Sequence, residues 1–470
     1  RFNCASNSFW WGFKNTMEKY YFRKNMKKRE FLKSATALAS ITILPSSIWS
    51  MKKNNRIRIA QIGVGGMGAA DLNSISSHSS VDIVGLCDVD SKALDEAKKN
   101  HPKASVYVDY RLMLNEMKDQ IDAVVVSTPD HTHAPASIMA MNLNKHVYCQ
   151  KPLTHHVTEA RSMRKIADDK NLITQMGIQV HSFYDYKLAT ILIQGGIIGK
   201  VNTVRAWSPK NWGYDGPPPK GSDPVPDNLD WNLWLGTSSK RPYKKNIYHP
   251  MNWRKLLDYG CGTLGDMGVH IFDTPYNALQ LDVPETIKNN CRKPNDFGFP
   301  EKNSVTYIFP GTKHTTEKLK WIWSDGPGAP SYHRDLKLPN KEKLPNQGAM
   351  FIGEKGKLLL PHFMELPRLI VEGKYKKIDL SKYSEAEKIG NPVRDYDKEA
   401  HLHYHEFVDA CLGKAQCTAP FSYSARLTET ILLGVIAGRF PNKKLHWDSK
   451  KALFKESEAN QFLDSKYRDF

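Results

Sequence analysis

Apolar and polar positions fall into a regular pattern from residue 56 onward. Arg56-Ile57-Arg58-Ile59-Ala60-Gln61-Ile62 alternates and then runs apolar, as a buried strand does. Strand-length apolar runs follow at Val81–Cys87, Ala123–Ser127 and His146–Cys149, with a shorter one near Val106–Val108. Between them lie stretches with helical spacing: Ala69–Ser77, Ser91–Asn100, Tyr110–Lys118 and Pro135–Leu143. Strand–helix alternation of this kind predicts a parallel, doubly wound sheet. After about residue 180 the alternation stops. Strand-like runs at Thr203–Trp207, Glu285–Cys291, Ser304–Phe309, Lys318–Trp323, Lys357–Leu360 and Leu369–Val371 are joined by hairpin-like links. A helical stretch, Tyr404–Arg439, is expected to pack back on the first domain. The fold class expected is therefore an α/β Rossmann domain followed by an α+β domain with an open-faced, mainly antiparallel sheet. The boundaries read as an extension (1–25), a leader-like segment (26–53), a first domain (54–178), a second domain (179–440) and a C-terminal extension packing on the body (441–470).

Composition changes this picture at one end of the chain. The 470 residues are 40% hydrophobic and 25% charged, ordinary globular usage, which argues against a disordered or coiled-coil protein. The net charge of +18 would suggest a nucleic-acid partner if it were spread over one face. Half of it, however, sits in the first 53 residues, and the rest is diluted through the body, so no nucleic acid is expected. From Met26 a basic stretch precedes an apolar run, Ala35–Ile48, which is too short for a bilayer span of about 20 residues. That layout is a signal peptide's, and no stable membrane anchor is expected. Lys28-Arg29-Glu30-Phe31-Leu32-Lys33 is close to a twin-arginine motif, with Lys28 in place of its first arginine. Export to the periplasm is the expectation. Seven cysteines without a C-x-x-C pair form no zinc ribbon or disulfide framework. His131-x-His133 and His401-x-His403-x-His405 lack further ligands at metal spacing, so no metal is expected.

The candidate chemistry begins directly after the first strand. Gly63-Val64-Gly65-Gly66-Met67-Gly68 is G-x-G-x-x-G between a strand and a helix, and Asp88 closes the second strand 20 residues after Gly68. Such a loop gives a pyrophosphate close access to backbone N–H groups, and such a carboxylate binds the ribose 2′-hydroxyl. Asp88 favours NAD over NADP, with Lys92 nearby as the residue that would relax the preference. Gly63, Gly65, Gly66, Met67, Gly68 and Asp88 are thus the first candidate cofactor contacts.

Three later motifs are more specific. Thr128-Pro129-Asp130-His131-Thr132-His133 and Gln150-Lys151-Pro152 each end a strand, and Gly260–Gly265 precedes Asp266-Met267-Gly268-Val269-His270. In this order they resemble the Gfo/Idh/MocA oxidoreductase family, which includes glucose-fructose oxidoreductase and inositol 2-dehydrogenase. The family pattern reads E-K-P where this chain has Gln150-Lys151-Pro152, as in a bacterial Q-K-P subgroup. The resemblance implies Lys151, Asp266 and His270 as catalytic residues. It also implies cofactor contacts from Thr128, Pro129, His133, Gln150, Lys151, Gln179, Trp253 and Arg254, and a sheet domain that covers the substrate and forms a homo-oligomer interface. The residues agree chemically. An imidazole can take a carbinol proton near neutral pH while Lys151 stabilises the alkoxide. Asp266 and His270, four apart, would share a helix face.

The function expected is hydride transfer between a sugar, glycoside or cyclitol hydroxyl and tightly bound NAD or NADP. Five tryptophans between Trp207 and Trp253 suit a carbohydrate, although core packing is their commoner use. An NAD-dependent glycosidase that oxidises the sugar transiently would use the same residues. A non-catalytic dinucleotide-binding sensor or scaffold is the reading from another class.

Overall fold

A computed structural model describes residues 56–470. The leader-like segment and the extension before it lie outside the described residues. The first domain is a sheet of six parallel strands in the order β3-β2-β1-β4-β5-β6. These are β1 (Ile57–Ile62), β2 (Val81–Cys87), β3 (Ser105–Tyr107), β4 (Ala123–Val126), β5 (His146–Cys149) and β6 (Thr174–Met176). The near-continuous apolar character of β1 and β4 reflects burial on both faces, as a sheet covered by helices on each side requires. The order reverses between β1 and β4, and in such sheets ligands bind outside the carboxyl ends of the strands at this switch point. The helices are α1 (Met67–Ser76), α2 (Ser91–Asn100), α3 (Tyr110–Glu116), α4 (Asp130–Asn142) and α5 (Val157–Lys170).

Helix α4 starts earlier than the sequence pattern suggests. Pro135 reads as a first-turn proline but sits inside the helix. The true start follows Pro129, with the acidic Asp130 in the first turn, where a helix dipole favours negative charge. His131 and His133 are therefore helical and buried.

Helix α6 (Tyr184–Gln194) leads into the second domain, a ten-stranded, mostly antiparallel sheet. Its first strand, β7 (Val201–Ser208), is followed by a short helix α7 (Trp231–Leu235) and by α8 (Val269–Ala278). The other strands are β8 (Thr286–Asn290), β9 (Ser304–Pro310), β10 (Thr315–Asp325), β11 (Gly348–Gly353), β12 (Gly356–Pro361), β13 (Arg368–Val371), β14 (Lys374–Lys376), β15 (Lys444–Asp448) and β16 (Leu453–Phe454). Among the described strands of this sheet, only the central β7–β10 pair is parallel. Strand β11 escapes the sequence pattern because it is bounded by glycines and starts with Ala349 and Met350, which leaves Phe351 and Ile352 as its only strong strand formers. The expected single helical stretch is two helices after a short α9 (Ser384–Lys388): α10 (Tyr396–Cys411) and α11 (Phe421–Ala437). Gly413, at φ 74°, turns the chain between them. Both return to the first domain. Gln175 donates to the His403 carbonyl, and Arg161 pairs with the buried Glu429 at 2.6 Å.

Most of the aromatic cluster is a separate small core. Trp231 stacks on Trp234 (4.7 Å, 15°), and Tyr243, Tyr248, Trp253 and Tyr259 pack around them. These rings hold a loop-rich segment together and leave little aromatic face for a sugar.

Candidate active site

The glycine-rich loop has the geometry of a dinucleotide cradle. Gly63 has φ +84°, and a Cβ there would meet the Ser127 carbonyl at 2.5 Å. A Cβ on Gly68 would stand 2.3 Å from the Gly63 carbonyl, so the first turn of α1 lies directly on the loop. The N-terminus of α1 has no side-chain cap and no acid in its first turn, which leaves its positive dipole for an anion. A Cβ on Gly66 would touch nothing within 4 Å, and Met67 beside it is exposed, so this side of the loop is open. Asp88 Oδ2 accepts from the Val64 and Gly65 N–H groups (2.8 and 3.2 Å), which fixes the loop against the end of β2. Burial raises its carboxyl above the usual range, against these backbone bonds. These features fit a dinucleotide.

Thr128 and Pro129 form the β4–α4 turn at the same edge, with Pro129 at the cap position of α4. His133 does not face an open cleft. It is 1% exposed, with both ring nitrogens 2.8 Å from carbonyl oxygens, of Pro152 and Thr128. Burial, against those two bonds, brings its pKa down to about 4, so at neutral pH its single proton serves one carbonyl at a time. It braces the β4 and β5 loops against each other. Trp253 is likewise buried, its indole N–H bonded to the Pro250 carbonyl.

Lys151, at the end of β5, meets Asp266. Its Nζ lies 2.7 Å from Asp266 Oδ1 and 3.1 Å from the Asp266 carbonyl. The Trp212 indole N–H donates to Oδ2 at 2.6 Å, and Arg254 Nε approaches Oδ1 at 3.3 Å. Arg254 in turn lies 4.2 Å from the Trp253 ring centroid. Burial works against the Asp266 charge, but Lys151 and Arg254 outweigh it and hold the carboxyl well below the usual range. Asp266 is therefore an ionised anchor with both oxygens occupied by protein donors. The Lys151 ammonium so placed suits an oxygen that becomes anionic, and the buried Asp130, raised by burial to about 7, is the next acid that feels Lys151 and Arg254.

Asp266 does not sit on an ordinary α-helix. Leu264–Gly268 is a π-helical turn that continues into α8, an irregularity frequent at functional sites. It turns the Asp266 carbonyl as well as its side chain toward Lys151. His270 follows on α8. Its Nδ1 is buried without a hydrogen-bond partner, and its ring lies 6.1 Å from that of His362. Burial, with Lys151 and His362 nearby, holds the His270 ring well below the usual histidine range. It is a neutral imidazole at physiological pH, able to accept a proton.

Three further groups escape a reading of the sequence. His362, just past β12, brings the second sheet to the site, its Nδ1 hydrogen-bonded to the Tyr186 hydroxyl. Trp212 lies within the aromatic cluster of the sequence and is singled out only by its bond to Asp266. Asp71, three residues after Gly68, is completely buried. It accepts from Ser127 Oγ (2.6 Å), Gln150 Nε2 (3.0 and 2.9 Å) and the Tyr404 hydroxyl. Burial pushes its pKa up to about 6 despite these donors. Gln179 bonds the same Tyr404 hydroxyl at 2.8 Å. Gln150 and Gln179 thus share one buried network with Asp71, at the carboxyl ends of β4, β5 and β6.

The profile of an oxidoreductase family with an NAD-binding Rossmann fold matches residues 57–178, and that of the family's C-terminal α/β domain matches residues 187–296. The chain belongs to the Gfo/Idh/MocA family of oxidoreductases. An α-N-acetylgalactosaminidase of Shewanella oneidensis is 27% identical over 206 residues, 38% of this chain and 44% of that protein. A glycosyl hydrolase family 109 protein of another Shewanella is 28% identical over 158 residues, 32% of this chain and 34% of its own. The chain thus aligns with less than half the length of either relative. The crystal structure of an inositol dehydrogenase homologue from Azotobacter vinelandii, complexed with NADH and myo-inositol, superposes with a TM-score of 0.59. It covers 83% of this chain and 98% of its own at 16% identity, a likeness of fold.

Proposed function

We propose that the protein is an NAD-dependent oxidoreductase that transfers hydride between a sugar, glycoside or cyclitol hydroxyl and the nicotinamide. The observation that carries this reading is the Lys151–Asp266 pair beside the neutral His270, at the same sheet edge as the glycine-rich loop. The residues that would hold NAD are the loop Gly63–Gly68, the N-terminus of α1, Asp88 and the Thr128-Pro129 turn. Bound NAD supplies the hydride acceptor, and in the reverse direction the donor. His270 takes the hydroxyl proton, and the Lys151 ammonium, anchored by Asp266, donates to the oxygen as it becomes anionic. His362, held by Tyr186, faces the substrate from the second sheet. Asp88 makes NAD the preferred nucleotide over NADP.

The glycosyl hydrolase relatives favour a second reading for the same residues, a redox-neutral glycosidase. There the sugar carbon is oxidised, the aglycone is eliminated, water adds and the carbon is reduced again, so that NAD is regenerated in place. The leader-like sequence supports export to the periplasm, where a tightly held, self-regenerating cofactor is an advantage. A homo-oligomer built on the second sheet completes the proposal.

The test is to incubate the purified protein with sugars, cyclitols and aryl glycosides, including an aryl α-N-acetylgalactosaminide, with and without added NAD. NADH accumulation marks the dehydrogenase. Aglycone release without net NADH marks the glycosidase. Neither signal, together with no nucleotide released on acid denaturation, overturns both.

A further inference from the structure

Asp71 is a fully buried carboxylate with no part in the proton or hydride path, yet it organises the residue next to Lys151. Gln150 is the link. Its Nε2 donates to both Asp71 oxygens, and its Oε1 accepts from the Lys151 backbone N–H at 3.1 Å. A carboxylate only accepts, so Asp71 decides which way the Gln150 amide points: NH2 toward the acid, carbonyl toward Lys151. The space around the amide is tight, because a Cβ on Gly177 would already meet it at 2.9 Å. The groups around the acid are Ser127 from the end of β4, Gln150 from β5 and Tyr404 from α10, with Lys151 as the neighbouring charge. Tyr148, stacked on Tyr404, Tyr396 and the buried Cys149 are further ionisable groups that feel its charge.

We infer that Asp71 is a positioning residue for Lys151, carrying on α1 the negative charge that an E-K-P sequence would place at position 150. The inference rests on the hydride-transfer reading above. It explains why a neutral amide stands at position 150. A glutamate there would set a second carboxylate against Asp71 at hydrogen-bond distance, and two such groups cannot both be ionised. It also predicts that the charge can be moved. When D71N and Q150E are combined, the contact survives with its direction reversed. The amide then stands at position 71 and the carboxylate at position 150, where its second oxygen still accepts from the Lys151 N–H.

The experiment compares D71N, Q150E and the D71N/Q150E double variant of the full protein. Each single variant is expected to lower kcat about 10- to 100-fold, the scale of losing a group that orients a reacting side chain. KM for NAD should stay within about threefold, since the nucleotide cradle is untouched. The double variant should recover to within about threefold of wild type. Crystal structures of the three variants give a readout independent of turnover: Lys151 Nζ stays on the Asp266 carboxylate in the double variant and leaves it in Q150E. If D71N keeps wild-type kcat, or if the double variant is no better than the worse single one, the proposal is overturned. A purely structural role would lower thermal stability and nucleotide retention together with kcat, without recovery in the double variant, and overturns it as well. An inactive wild-type protein counts against the hydride-transfer reading alone, because the position of Lys151 in the variants still judges this proposal.

Discussion

Lys151 is held by Asp266 at two points, the carboxylate at 2.7 Å and the backbone carbonyl at 3.1 Å. The double hold fixes the ammonium in direction as well as distance. It depends on the π-helical turn that brings main chain and side chain of one residue to the same face. Replacement of Asp266 by Asn removes the charge and keeps the size. Lys151 and Arg254 then lose the carboxylate they bond directly, and kcat should fall about 100-fold, the cost of a misplaced reacting group. Steady-state kinetics on whichever substrate turns over will measure it.

His270→Ala removes the proton acceptor without touching the nucleotide cradle. A loss of about 10²- to 10⁴-fold in kcat is expected, the usual range for general base catalysis. Nucleotide released by acid from the purified variant should equal that from the wild type. Loss of nucleotide together with activity would show instead that the imidazole supports the cofactor.

Trp212→Phe deletes one N–H donor to Asp266 and keeps a ring beside Arg254. A hydrogen bond to a charged group contributes about 1.5–3 kcal/mol, so kcat/KM should drop roughly tenfold to a hundredfold. A loss of about a thousandfold or more would mean the indole contacts the substrate itself.

Acid should unfold the protein well above the carboxylate range. His131, His133 and His403 are buried neutral, with pKa values brought by burial to about 4, against about 6.5 when unfolded. A depressed folded-state value gives stability that is complete above about pH 6.5 and lost as pH falls toward about 4. Each such ring contributes a slope of about 1.4 kcal/mol per pH unit in that window. Thermal melts between about pH 7.5 and 4.5 should fall steeply below about pH 6.5. Burial raises Asp71, Asp130 and Asp325 to about 6, 7 and 7, which offsets part of this slope, while His146 and His362, lowered to about 4, add to it. A flat profile down to about pH 5 would mean that the buried histidines do not outweigh these acids.

What the chain reveals without a structure depends on how local the signal is. The β1–loop–α1 unit is legible because glycine spacing, flanking periodicity and Asp88 all lie within about 30 residues. The Lys151–Asp266 contact spans 115 positions and is reachable only through a family pattern. Asp71 is easily missed because an acid on a helix usually faces water. Yet Gly68, Asp71, Leu72 and Ile75 form one buried stripe, and a carboxylate on that stripe is the available clue. His362 leaves no such clue, since its approach to His270 exists only because β12 carries it across the second sheet. The π turn is invisible to periodicity, being one extra residue in an otherwise helical run.

The Tyr404–Asp71 bond joins positions 333 residues apart. A ribosome adding about 5–20 residues per second needs roughly 20–70 s to make the second partner after the first. Throughout that interval the nascent Rossmann half carries an acid that lacks one of its donors and a β6 edge awaiting α10. The Asp71 network is therefore completed long after its first member has been made. The orientation of Gln150, and through it that of Lys151, is thereby completed only after α10 has been made.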